Sequence, residues 1–336
     1  MKTIELGRTG TQVSQLSLGC MIMGTTTPEA EAFAMLDRYI EAGGTFLDTA
    51  DCYAWWSVPG TQGGHSEELL GRWLARRGRR DDIILATKGS ALVPDQAGVW
   101  TDGKPDWDKV RFIGAGAETL RSSIDASLRR LGTDYVDLYY VHVDDLATPL
   151  EETLEALLGI VTAGKARYIG WSNVTSERLT RIRELCTEHG WTLPVAVQQQ
   201  HTFLRPRLEA QRASIVDDSQ LEYLGAHPDQ TLVAYSPILK GVYDDAAKRA
   251  GHWMMSAYDG PRTEAALATL AQVSDEVGAP PNQVVLAWLL RAQAPTVVPL
   301  VGPRTMAQLD ATLSALDVTL TDEQSARLDT ARGTSA

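Results

Sequence analysis

Residues 45–53 read TFLDTADCY, residues 83–89 read IILATKG and residues 136–142 read VDLYYVH. Each is an apolar, strand-length run carrying polar residues at or just beyond its C-terminal end: Asp48 and Tyr53, Lys88, and His142. As consecutive strands of a closed parallel barrel, the three runs bring all four side chains to one mouth, where barrel enzymes keep their chemistry. An acid, an ammonium and an imidazole then surround one phenol. The neighbouring cation is expected to lower the phenol's pKa toward neutrality, which suits proton transfer at a carbonyl.

Outward from these runs, apolar stretches alternate with amphipathic ones along the whole chain. Further strand-like segments lie near 17–20, 168–172, 195–199, 232–236 and 297–301, making eight with 45–48, 83–87 and 136–141. Helical periodicity covers 28–42, 66–78, 117–131, 150–163, 176–188, roughly 217–227, 263–278 and 282–292, with further helices near 305–315 and 321–332. Eight strand–helix units predict an α/β fold, a (β/α)8 TIM barrel. Residues 3–5 and 12–14, joined by the turn GRTG, predict an N-terminal β-hairpin. One domain is expected over 1–336, with 1–15 as a hairpin cap and 305–336 as C-terminal helices. No G-x-G-x-x-G follows any strand, so a dinucleotide is held otherwise than in an open doubly wound sheet. The long connections 53–65, 89–116 and 200–216 follow strands and are expected to wall a pocket.

Composition narrows the partners. A net charge of −12, with no basic block to offset it, argues against a nucleic acid or an anionic membrane surface as the main partner. Three cysteines, Cys20, Cys52 and Cys186, have no paired spacing, so they read as reduced thiols of a cytoplasmic protein, and no metal site is expected. The N-terminal MKTIELGRTGTQVS is polar and turn-forming, which predicts neither a signal peptide nor a membrane span. Oligomeric state is left open.

Singly, each polar residue has a plainer role, an aspartate as a helix cap or a tyrosine as packing. Jointly they imply more. A lysine on an apolar strand end is costly to bury unless a carboxylate such as Asp48 pairs with it, and the pair then sets a positive charge beside Tyr53. His142 is placed to donate a hydrogen bond to a substrate oxygen.

At FLDTADCY, ATKG, LRRLGTDYVDLYYVH, YIGWSN, Val197-Gln198, AYSP and VPLVGPR the chain resembles the aldo-keto reductases, over nearly its whole length. The resemblance implies a tetrad in which Tyr53 is the general acid, Lys88 and Asp48 set its pKa and His142 orients a carbonyl. It also implies a nicotinamide cofactor bound without a Rossmann fold. Ser172, Asn173 and Gln198 match the residues that hydrogen-bond the carboxamide, and Ser-Asn after a strand also suits helix capping. Tyr235, Ser236, Pro237, Ile238, Leu239 and Gly241 match the loop around the pyrophosphate, where backbone N–H groups are the donors. Cys20 and Met21 match the position near the nicotinamide ribose, and the resemblance places Asp48 among the cofactor-binding residues as well. Gly302, Arg304 and Gln308 match a helix N-terminus that holds the adenosine phosphate, with Arg304 suited to the 2′-phosphate of NADPH.

Two positions depart from the family pattern. Ala311 and Thr312 replace Glu-Asn, so adenine contacts are reduced and Thr312 supplies part of them. His201 stands where an aromatic residue commonly stacks on the nicotinamide. Trp55 and Trp56, beyond the phenol, are expected to wall the substrate, whereas Trp100 is expected to pack on its own loop. The resulting expectation is NADPH-dependent reduction of a small-molecule aldehyde or ketone, a sugar or aromatic carbonyl compound. Two other roles fit the same barrel: a nicotinamide-binding regulatory subunit resembling the potassium-channel β-subunits, and a Schiff-base lyase with Lys88 as nucleophile.

Overall fold

The computed structural model describes residues 1–57, 60–210 and 213–333. Residues 58, 59, 211 and 212 of two long connections, and 334–336 of the C-terminal segment, lie outside the described residues. In chain order the strands are β1 (Thr3–Glu5), β2 (Gln12–Ser14), β3 (Ser17–Gly19), β4 (Phe46–Asp48), β5 (Ile84–Gly89), β6 (Trp100–Thr101), β7 (Lys104–Pro105), β8 (Val136–Val141), β9 (Ala166–Ser172), β10 (Ala196–Gln200), β11 (Thr231–Tyr235) and β12 (Val297–Val301). Eight of them, β3, β4, β5, β8, β9, β10, β11 and β12, form a closed barrel in which every pairing is parallel. The predicted (β/α)8 barrel is therefore the fold.

Eleven helices are described: α1 (Glu29–Glu41), α2 (His65–Arg77), α3 (Ala117–Leu131), α4 (Leu150–Thr162), α5 (Ser176–His189), α6 (Asp218–Ala226), α7 (Ala246–Arg249), α8 (Pro261–Val277), α9 (Pro281–Leu290), α10 (Met306–Leu313) and α11 (Asp322–Arg332). Local sequence accounts for most of their limits. On α3, Leu120, Ile124 and Leu131 recur at helical spacing and are buried, and Gly132 ends the helix in the left-handed conformation. Thr321 and Gln324 form a reciprocal capping box at the start of α11. Ten predicted helices match within a few residues. The β6–β7 ladder and the short α7 were not expected, because segments of two to four residues carry too little periodicity to be read.

Apolar residues fill two regions. Leu47, Leu85, Tyr139 and Ile169 lie with the helices in a large outer cluster. Phe46, Ala86, Leu138, Tyr140, Ala196, Val233 and Val298 pack inside the barrel with Leu6 and Val13 of the N-terminal hairpin, which closes that end. Gly7 makes the close approach possible: its φ is +58°, and an added Cβ would fall 2.6 Å from the Asp229 carbonyl oxygen. No helix is long and apolar enough to cross a membrane among the described residues.

At the hairpin end, buried Asp137 accepts hydrogen bonds from Arg80 (2.7 Å), Arg167 (2.9 Å) and the Leu85 amide (2.9 Å). Replacing Asp137 by Ala strands these donors and should cost about 3 kcal/mol of stability. A lower denaturation midpoint, with turnover of the folded fraction unchanged, is the expected result, since the mouth lies at the opposite end.

Candidate active site

Alternation along the strands decides which side chains enter the barrel. Phe46 and Asp48 face inward from β4, Ala86 and Lys88 from β5, and Leu138 and Tyr140 from β8, while Leu47, Leu85 and Tyr139 face the helices. The inward rows are thus apolar at the hairpin end and polar at the mouth. His142 follows β8 directly. Tyr53 stands on the turn after β4, against which Gly63 packs: its φ is +99°, and an added Cβ would lie 2.5 Å from the Cys52 carbonyl carbon.

The fully buried Lys88 ammonium donates to Asp48 Oδ1 at 2.5 Å, the Thr49 carbonyl at 2.8 Å and Tyr53 Oη at 2.8 Å. Those bonds use all three of its N–H groups. A lysine so committed has no free amine, which goes against the lyase reading. Tyr53 Oη accepts from Lys88, so its own O–H is left to point elsewhere. Gln198 Nε2 donates to Asp48 Oδ2 at 2.8 Å and anchors the second carboxylate oxygen. The His142 ring meets Tyr53 edge-on with centroids 5.5 Å apart. Its Nδ1 lies 3.4 Å from Cys52 Sγ.

The expected direction of the phenol's shift is reversed. Burial pushes the Tyr53 phenol well above its ordinary value, and the Asp48 charge pushes the same way. Desolvation of the phenolate is the largest cause, and the Lys88 charge that would oppose it is paired with Asp48. Tyr53 is therefore held protonated, as a donor. Burial, then Lys88, lowers His142 well below its ordinary value, so the imidazole is neutral. Burial also raises Asp48, opposed by Lys88 and Gln198. Asp51 is pushed up to about 8, by burial first and then by Glu67, while Arg130 opposes. Neither of its carboxylate oxygens has a hydrogen-bond partner.

Several cofactor candidates gather at this mouth and along its rim. Ser172 and Gln198 are register partners on β9 and β10. Asn173, in the left-handed region, donates to the His142 carbonyl (2.7 Å) and to Ser172 Oγ (3.1 Å). The Tyr235 hydroxyl donates to Asn173 Oδ1 at 2.9 Å. In the loop after β11, Ser236, Leu239 and Lys240 have positive φ without being glycine, at 52°, 46° and 60°, and Gly241 follows at 88°. Strained backbone is concentrated in this loop, and the surrounding structure must hold it there. Ile238 is half-buried within it, and the Pro237 carbonyl accepts from Thr202 Oγ1 at 2.6 Å.

Gly302, Arg304 and Gln308 lie exposed at the N-terminus of α10, with Gln308 Oε1 accepting from the Arg304 amide at 2.8 Å. No carboxylate forms an ion pair with Arg304 among the described residues. Lys240 is held below its ordinary pKa by burial, then by the charges of Arg304 and Lys248. Three cations thus share one region. Lys240 and Lys248 were missed in the sequence, although Lys240 sits inside the AYSPILKG run.

Three assignments change. Cys20 is buried among the residues facing the helices, and its amide and carbonyl bond Asp48 and Ser66, so only the exposed Met21 of that pair is available at the surface. Thr312 is buried and donates to the Gln308 carbonyl at 2.9 Å, which narrows its expected part in adenine contacts to that of an acceptor. His201, 5% exposed, tilts against Trp288 with centroids 6.3 Å apart, so it is a packing residue rather than a stacking platform.

The tryptophans divide as well. Trp55 is 1% exposed and meets Trp56, Trp100 and Trp107 edge-on, which makes it the centre of a cluster and not a pocket wall. Trp56 is half-buried and meets the Tyr53 ring edge-on at 6.0 Å. Trp107, 58% exposed and 6.5 Å from Trp56, extends that face outward. It lies in the long 89–116 connection, where the loop's length was the signal. Trp100 donates to Gln96 at 3.2 Å, within its own loop as expected.

A sequence profile of the aldo/keto reductase family matches residues 15–332. The chain is 34% identical to the norsolorinic acid reductase stcV of Emericella nidulans over 326 residues, covering 94% of this chain and 77% of that protein. It is 30% identical to the protein tas of Escherichia coli, covering 95% and 94%. Among solved structures, a thermostable aldo-keto reductase crystallised with the inhibitor epalrestat superposes with a TM-score of 0.70 at 29% identity, covering 98% of this chain and 100% of the other.

The raised pKa of Asp51 has a consequence for stability. Between its ordinary 3.8 and about 8, the folded chain keeps a proton that the unfolded chain has lost. The contribution of Asp51 therefore falls as pH rises through that window and levels off above it. Asp51→Asn removes the dependence. Urea denaturation across pH should show the variant gaining on the wild type from about pH 4 to about pH 8, with a constant difference beyond.

Proposed function

The chain belongs to the aldo/keto reductase family, and on that footing we propose that it reduces an aldehyde or ketone to an alcohol with NADPH as the hydride source. One observation carries the reading: the three acceptors of Lys88 leave the Tyr53 proton uncommitted at the mouth. The nicotinamide, when bound, supplies the hydride. A carbonyl oxygen at the mouth would accept from Tyr53 Oη–H. It would accept also from His142 Nε2–H, the tautomer that results when the Cys52 thiol donates to Nδ1. As charge develops on that oxygen, Tyr53 transfers its proton, and Lys88, 2.8 Å away, stabilises the phenolate left behind.

The residues present suit the cofactor. The strained loop from Ser236 to Gly241 would hold the pyrophosphate through backbone N–H groups, while Ser172 and Gln198 would meet the carboxamide. Arg304, with Lys240 and Lys248, would hold the 2′-phosphate; burial, and then the charges of Arg304 and Lys248, already disfavour the charged form of Lys240, and a bound polyanion would relieve that cost. Trp56 and Trp107 offer a broad aromatic face beside the phenol, which suits a bulky ring carbonyl compound. The resemblance to norsolorinic acid reductases points toward such a substrate.

Tyr53→Phe should lower turnover by about 10²–10⁴-fold or more and leave the dissociation constant for NADPH nearly unchanged, as read by fluorescence titration and single-turnover kinetics. Near-normal turnover would end the proposed acid role. Binding should favour NADPH over NADH by about ten- to a hundredfold, and Arg304→Ala should erase most of that preference. Equal affinities in the wild type would count against the phosphate assignment. Trp56→Ala and Trp107→Ala should each raise KM several-fold for a bulky aromatic ketone and little for a small aldehyde, whereas Trp55→Ala should lower stability and affect both substrates alike.

A further inference from the structure

Cys52 lies between two residues with which it shares no obvious sequence motif. The fold sets its Sγ 3.4 Å from His142 Nδ1 and places a carboxylate oxygen of Asp51 close by, so that one donor atom from each residue lies within 4.8 Å of the others. Asp51 and Cys52 are buried and His142 is half-buried at the mouth. Asp51 is poorly satisfied within the protein: at 1% exposure neither carboxylate oxygen has a partner at hydrogen-bond geometry, and the nearby Ser123 hydroxyl and Cys52 amide only partly offset its burial. A buried polar group left this way costs free energy unless a partner arrives. The spacing of these residues in sequence predicts no metal site; the turn after β4 and the end of β8 assemble one.

We propose that Asp51, Cys52 and His142 form a binding site for a single zinc-like divalent cation beside the catalytic mouth. A thiolate, an imidazole nitrogen and a carboxylate are the donor set zinc takes, and three protein ligands leave a fourth position open. Bonds of about 2.0–2.3 Å in a tetrahedral site hold ligand atoms about 3.3–3.7 Å apart. Sγ and Nδ1 already stand at that separation, and a carboxylate oxygen lies within 4.8 Å of both. Charge balances too: thiolate and carboxylate together neutralise the dication.

On binding, the S–H bond of Cys52 and the O–H bond of protonated Asp51 break, their protons go to solvent, and bonds form to sulfur and oxygen. Nδ1 ligates through its lone pair, so Nε2 keeps the ring proton and stays a donor toward the mouth. The surrounding charges are Lys88, which is balanced by Asp48 at 2.5 Å, and Glu67, which is balanced by Arg130 at 2.6 Å.

The test uses the full chain, freed of metal by a chelator and titrated with Co²⁺, whose thiolate charge-transfer absorption reports a cobalt–sulfur bond. One ion per chain with that absorption is expected, displaced by Zn²⁺, together with a rise in melting temperature on Zn²⁺ addition. Cys52→Ser should abolish the absorption, and the nearly isosteric Asp51→Asn should weaken Zn²⁺ by about tenfold or more in chelator competition. No thiolate absorption in the wild type, an absorption retained in Cys52→Ser, or equal Zn²⁺ affinity in Asp51→Asn and the wild type would each overturn the site. None of these readouts depends on carbonyl reduction.

Discussion

One ammonium, on Lys88, sets the terms for everything around it. A charge this deeply buried persists only if each of its protons has an acceptor, and the chain supplies three, from the end of β4, the turn after it and the phenol of Tyr53. Asp48 is there because Lys88 needs a counter-charge, and Gln198 because Asp48 has a second oxygen to satisfy. Satisfying the lysine therefore also positions the phenol. Structural and chemical requirements are met by the same hydrogen bonds.

Strand alternation then separates the two ends of the barrel. Within single strands the inward row changes from apolar to polar: Phe46 to Asp48, Ala86 to Lys88, Ala196 to Gln198. The apolar end is covered by the hairpin and braced outside by Asp137 between Arg80 and Arg167. That arrangement confines functional polarity to the open end, where low dielectric strengthens each hydrogen bond.

Burial governs the protonation states more than neighbouring charge does. It keeps Tyr53 protonated and His142 neutral, which leaves the mouth with two hydrogen-bond donors rather than a phenolate and an imidazolium. The same force leaves Asp51 and Cys52 in their neutral forms beside His142. At the loop after β11 the balance differs, for there Lys240, Lys248 and Arg304 raise the local positive potential with strained backbone close at hand. A nearly neutral mouth around Tyr53 and His142 and a strongly cationic patch around Arg304 thus belong to different loops.

What the sequence determined by itself was the order of elements and the chemistry-bearing strand ends, because side-chain period and polar breaks are local properties. TFLDTADCY, IILATKG and VDLYYVH were enough to place Asp48, Tyr53, Lys88 and His142 at one mouth. Only the tertiary structure decided which neighbours each group met. It turned Trp55 into the centre of an aromatic cluster and gave the exposed face to Trp56 and Trp107. It tied the Thr312 hydroxyl to its own helix, buried His201 against Trp288, and reversed the direction expected for Tyr53. These outcomes follow from desolvation and from contacts between residues far apart in the chain, and neither has a signature in local spacing.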